Sequence, residues 1–123
     1  MANILLVGLG GFVGSILRYS LGELLHSSLR VPAGTLAVNV IGCLLIGVVG
    51  GWYENHSFPG HSARLFIMVG LLGGFTTFSA FGYETMLLAR NRELALAMAN
   101  ILLQVALGLS AVWIGYRLSL VRL

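Results

Sequence analysis

The few residues in this chain able to do chemistry sit inside long apolar runs, where a polar group needs a reason to be. The densest group is Gly70-Leu71-Leu72-Gly73-Gly74-Phe75-Thr76-Thr77-Phe78-Ser79-Ala80-Phe81. Paired glycines followed by β-branched hydroxyl residues make a poor helix interior. A membrane helix breaks mid-span only where the freed backbone groups find partners or line a cavity. Such breaks aim dipole ends and bare carbonyls at ions. A simple glycine kink is the plainer alternative. Phe78 and Phe81 are three apart, on one side of the half-helix after the break. Rings in a bundle usually pack, yet their edges are electropositive and two of them can hold a small anion. A fixed Lys or Arg would hold it too tightly, because conduction needs weak binding at several sites.

Three further sets of polar residues lie within apolar runs. Thr35 and Asn39 are four apart and share a helix face. They either bond across helices, worth about 0.6–2 kcal/mol, or offer a hydroxyl and an amide in place of an anion's water. Asn100 and Gln104 form a second pair of the same spacing, with Gly108 and Ser110 beyond, and both readings apply again. Arg18 lies two-thirds along the first run. It either snorkels to the headgroups or forms an electropositive collar at a pore mouth.

No constellation for catalysis accompanies these residues. Glu23, Glu54, Glu84 and Glu93 are scattered, mostly at the ends of runs, and His26, His56 and His61 fall in turns without zinc-ligand spacing. No nucleophile stands beside a base. Cys43, the lone cysteine, reads as a buried, inert thiol. Gly8-Leu9-Gly10-Gly11-Phe12-Val13 fails the dinucleotide-binding spacing because Val13 holds the last glycine's place.

The elements that carry these residues follow from composition. Hydrophobic residues make up 58% of the 123 and charged residues only 9%, with a mean hydropathy of +0.95. A soluble domain carries about 25% charged residues, so the solvent here is mostly lipid. A spanning helix needs roughly 20 apolar residues, and four such runs fill the chain, at about residues 3–25, 32–53, 62–90 and 93–117. Together they form one four-helix transmembrane unit, residues 1–123, in an all-α membrane protein whose third helix is broken. Pro32 and Pro59 fall where helices start. The first residues lack the charged region and cleavage site of a signal peptide and read as the start of the first span.

The 17 glycines cluster within the runs, where small residues let membrane helices approach closely. The charge of +3 comes with no basic stripe, which excludes a nucleic-acid binder. Arg64, Arg117 and Arg122 belong to one membrane face, and Arg18, Arg30, Arg90 and Arg92 to the other. Arginine excess sets orientation, so this even split predicts insertion both ways. Four helices are too few to enclose a polar path, and association is expected.

In order and spacing, three motifs resemble the Fluc (CrcB) fluoride channels over essentially the full length. They are Gly11-Phe12-Val13-Gly14-Ser15-Ile16-Leu17-Arg18-Tyr19, then Gly34-Thr35 with Val38-Asn39 and Gly42, then Gly73 through Phe81 with Glu84. The resemblance implies an inverted, dual-topology homodimer in the cell's inner membrane, with two antiparallel pores exporting fluoride passively and relieving its toxicity. It implies a structural Na+ at the dimer centre on the backbone carbonyls of Gly73 and Thr76. It makes Phe78 and Phe81 the fluoride-facing rings, Asn39 a pore donor and Arg18 the vestibule arginine. Thr35, Thr77 and Ser79 extend the polar track, with Gln104 and Ser110 on the fourth span. Ala80 departs from members that carry a hydroxyl between the two phenylalanines.

Two other classes compete. A small four-span multidrug/proton antiporter, also an inverted dimer, needs an embedded carboxylate in the first span, where only Arg18 and the marginal Glu23 occur. A structural subunit without transport accounts for the glycines but leaves Asn39 and the Gly-Gly-Phe-Thr-Thr run unexplained.

Overall fold

The computed structural model describes residues 1–25, 32–55 and 60–121. The turn around His26 and Arg30, together with His56, Pro59 and Arg122, lies outside the described residues. Those described are helical with short connections, and four helices are long and apolar enough to cross a membrane: Ala2–Leu24, Ala33–Asn55, Gly60–Arg90 and Leu94–Ser119.

The first two are unbroken, α1 (Ala2–Leu24) and α2 (Ala33–Asn55). Pro32 stands just before α2, and its carbonyl accepts the Leu36 amide at 3.1 Å. That position suits a residue with no N–H of its own to satisfy. The third span is composite. It opens as α3 (Gly60–Arg64), widens into a π-helical stretch, Leu65–Leu72, and closes in the single turn α4 (Gly73–Phe75). Thr76 and Thr77 are extended, at φ −85°, ψ 158° and φ −150°, ψ 118°. Helix resumes as α5 (Phe78–Arg90), capped by the Thr77 hydroxyl, which accepts from the Ala80 amide at 3.2 Å. This is the usual N-cap arrangement, satisfying one amide that the new helix leaves open.

The turn after α5 closes with two reversed bonds, Arg92 N–H to Ala89 at 3.0 Å and Glu93 N–H to Leu88 at 2.9 Å. Arg92 takes the left-handed conformation, φ 64°, in this Schellman-type stop. The last helix, α6 (Leu94–Ser119), is regular throughout.

Two helix pairs organise the bundle. α1 packs along the π-helical stretch and α4, while α2 packs along α6, and α5 leans on α6. Glycine makes both approaches possible. A Cβ on Gly70 would stand 2.8 Å from the Val7 carbonyl oxygen, and one on Gly74 2.7 Å from that of Gly11. At the other pair, a Cβ on Gly47 or Gly115 would run into the carbonyl of Val112 or Leu44. Backbones thus meet directly, gaining dispersion contacts in a solvent that supplies little hydrophobic drive between helices.

The buried apolar set is small (Val38, Leu72, Phe75, Leu88, Ala97 and Ala111), while Phe12, Leu102 and Leu109 are exposed. That inversion suits a lipid-facing surface. Arg64 stacks over Tyr53 at 5.1 Å and Arg117 over Trp113 at 5.7 Å, near the ends of their helices. Such pairs anchor a bundle at the headgroup level. Cys43 departs from expectation, being partly exposed and facing Gly108 rather than sealed in the core.

Candidate functional site

The extended Thr77 cannot use the helical ladder, so its peptide groups need other partners. Asn39, in the second turn of α2, supplies them. Its Oδ1 accepts from the Thr77 amide at 2.8 Å, and its Nδ2 donates to the Thr77 carbonyl at 3.0 Å. One side-chain amide thus pairs both groups of one residue, as a neighbouring strand would. The second Nδ2 hydrogen goes to Gln104 Oε1 on α6, at 3.1 Å. Three elements meet at this carboxamide.

Beside it lies a groove of about 330 Å³ lined by Asn39, Cys43, Thr76, Thr77, Phe78, Phe81 and Gln104, among others. No charged side chain lines it. Phe78 is 82% exposed and meets Phe81 edge to face, with centroids 5.3 Å apart and planes at 68°. Thr77 Oγ1 and Ser79 Oγ lie 3.2 Å apart, extending the hydroxyls along the start of α5. The groove therefore offers amides, hydroxyls and ring edges, a lining suited to an anion that must not be held by full charge. A second groove of about 360 Å³, walled by Leu17, Leu21, Leu24, Leu45 and Leu71, has Ser20 as its single hydroxyl-bearing residue. It offers an ion little.

The other expected residues are distributed unevenly. Thr35 faces the bundle but donates its hydroxyl to Glu84 Oε1 at 2.6 Å, away from the groove lining. Ser110 is exposed on α6, and Arg18 is half-buried on α1; neither lines the groove. Gly73 and Thr76 sit at the break. In a continuous helix their carbonyls would take the Thr77 and Ala80 amides. Those amides bond instead to Asn39 Oδ1 and Thr77 Oγ1. Both carbonyls are left without ladder donors, and Gly73 is exposed. Among the described residues no cluster of His, Cys, Asp or Glu could hold a metal ion. Backbone oxygens are the donors available to a hard cation.

Glu84 belongs to the third motif, yet sequence reading gave it no site role and grouped it with the span ends. It lies nearly two turns short of Arg90, and that distance was the available signal. Its Oε2 is buried and unpartnered, as are Asn100 Oδ1 and Gln104 Nε2. Asn100 is fully buried and donates to Thr85 Oγ1 at 2.9 Å.

Residues 5–116 match the family described as CrcB-like protein, Camphor Resistance (CrcB). The chain belongs to the CrcB family. Similar curated relatives carry the name fluoride-specific ion channel FluC. One from Methylobacillus flagellatus is 43% identical, covering 96% of this chain and 94% of the relative. Another, from Oceanobacillus iheyensis, is 41% identical over 98% and 93%. A third, from Thermus thermophilus, is 45% identical over 97% and 96%. The family match thus runs from the first span to the last.

Proposed function

We propose that this chain is the subunit of a fluoride-selective channel that lets fluoride leave the cytoplasm down its electrochemical gradient and so relieves its toxicity. It is a multi-pass inner-membrane transporter and not an enzyme. The observation that carries the reading is the uncharged groove at the Thr76–Thr77 interruption, where amide, hydroxyl and ring edges stand where an anion's hydration shell would be. The names of the CrcB relatives supply the anion's identity.

The interruption of the third span is the functional break, and two subunits pair there in inverted orientation as a dual-topology homodimer. Supporting this are the even arginine split, the exposure of Gly73 and Phe78 in one subunit, and a groove that a single bundle leaves open. Asn39, Thr77, Phe78, Phe81, Ser79 and Gln104 form the wall of the fluoride path. Thr35 supports it through Glu84. Arg18 and Ser110, off the groove of their own subunit, join the path at its mouths. A structural Na+ at the dimer centre fits the carbonyls of Gly73 and Thr76. Two oxygens from each subunit would supply four donors to a hard cation, whereas two alone are too few. When bound, the ion ties the two broken spans together and adds fixed positive charge between the pores.

The test is efflux from liposomes loaded with KF and followed with a fluoride electrode. Addition of valinomycin is expected to release fluoride rapidly, with little chloride lost from a KCl control. Absence of fluoride efflux from intact protein, or equal passage of both halides, would contradict the proposal.

A further inference from the structure

The atoms that a Cβ would meet at a buried glycine record how the facing helix is wound. A Cβ on Gly47 would meet the Val112 carbonyl oxygen and the Tyr116 amide nitrogen, and one on Gly115 those of Leu44 and Val48. Each pair spans the step of one α-helical hydrogen bond, from residue i to i+4. On α1, Gly14 faces a pair of the same step, the Leu71 oxygen and the Phe75 nitrogen. Gly10 does not. Its pair is the Phe66 oxygen and the Leu71 nitrogen, the i to i+5 step of a π-helical bond. Two buried glycines one turn apart on α1 therefore lie over two different windings, with Leu71 common to both.

That change of winding matters at the break. A π-helical step takes in one residue more than an α-helical one, and each residue of an α-helix turns the chain by about 100°. Relaxing Leu65–Leu72 to α-helix would rotate everything after it about the helix axis. Thr76 and Thr77 follow after the single turn of α4. Thr77 meets Asn39 with both of its peptide groups, so a rotated break loses both bonds. π-Helix is rare, and this stretch is apolar throughout, without a polar side chain to hold the winding.

We infer that the Gly10–Gly14 face of α1 is the template for the π-to-α change in the third span. Gly10 is thereby a positioning residue for the ion groove, although it lines no part of it. The consequence for transport rests on the fluoride-channel reading; the consequence for the winding does not. The three atoms nearest a Cβ on Gly10 are all main chain, so relief there requires the π stretch or α1 to move.

The test compares Gly10→Ala with Gly115→Ala, whose Cβ meets equally unyielding backbone on the continuous α2–α6 pair. Gly8→Ala, with nothing within 4 Å, controls for the substitution itself. Unfolding temperature, initial fluoride efflux per assembled protein and deuterium exchange of residues 76–81 are read for each. That segment contains the Thr77 amide held by Asn39. Both colliding variants are expected to unfold at lower temperature. Only Gly10→Ala is expected to speed exchange in the segment and slow efflux, each about tenfold or more, the scale of an overpacked contact. Gly115→Ala is expected to stay within about twofold of wild type in both, as a distant and independent site does. Gly70→Ala, whose Cβ would stand 2.8 Å from the Val7 oxygen in the same contact, is the second variant should Gly10→Ala not assemble.

Unchanged exchange in the assembled Gly10 or Gly70 variant overturns the template. An equal rise in Gly115→Ala also overturns it, by making any tight glycine contact sufficient. Faster exchange without slower efflux overturns Gly10 as a positioning residue for the ion. Wild-type protein that passes no fluoride overturns the channel reading instead, and the exchange comparison then decides the template alone.

Discussion

The third span and α6 run through the same bundle, yet one is interrupted at Thr76 and Thr77 and the other is continuous. On α6 the glycines are spread out. Gly108 and Gly115 fall on a buried stripe with Ala97, Asn100, Gln104, Ala111 and Ser119, at three- and four-residue spacing. Each glycine there lets α2 approach while the ladder runs on undisturbed. On the third span Gly73 and Gly74 are adjacent and two threonines follow, after a stretch already widened to π-helix. A π-helical segment inside a longer helix is uncommon and often marks a functional site. Polar chemistry on α6 is carried by side chains, whereas on the third span the backbone itself becomes a partner for Asn39. A membrane protein gains bare peptide groups at mid-depth only by interrupting a ladder, and it keeps them only where a neighbour such as α2 re-satisfies them.

The largest effect is expected where the continuous pair is forced apart. Gly115→Leu drives a side chain into the Leu44 carbonyl with no flexible atom to yield. Overpacking typically costs about 1–3 kcal/mol and backbone collisions exceed that range, so little monodisperse protein should survive extraction. Recovery of wild-type yield and unfolding temperature would mean that α2 and α6 are held by something other than close backbone contact. A smaller effect is expected at the broken span. Thr77→Ala removes the cap of α5 and should lower stability by about 1 kcal/mol, measured by thermal unfolding. An unchanged value would mean that Asn39 alone holds the restart of the helix. The smallest effect belongs to the turn after α5. Arg92→Gly relieves a left-handed conformation that a side chain disfavours and should stabilise by a few tenths to about 1 kcal/mol. A destabilised variant would show that the Arg92 side chain contributes more than its backbone strain costs.

Much of this contrast was legible in the sequence. Four spans follow from apolar run length, and the Gly-Gly-Phe-Thr-Thr string marks where helix propensity fails. Asn39 stands out because an amide at mid-membrane needs a partner. The identity of that partner was not legible, since the Thr77 peptide is available only once the backbone is extended, and composition carries no record of that. The partner of Glu84 was illegible for a related reason. Its pairing with Thr35 joins residues 49 positions apart on helices whose rotation about their axes the apolar pattern does not fix. The π-helical stretch Leu65–Leu72 left no sign either, because a uniformly apolar run has no periodicity from which to read a wider winding.

Phe81 gives the most direct test of whether the groove at the break carries the ion. Phe81→Ile keeps the site apolar and removes the ring that meets Phe78 edge to face. Efflux of fluoride from liposomes is expected to fall at least about tenfold, the loss of one favourable contact with a charged species, while the protein elutes at the wild-type position on size exclusion. Efflux equal to wild type in that intact variant would make the ring a packing element and move the ion's route elsewhere.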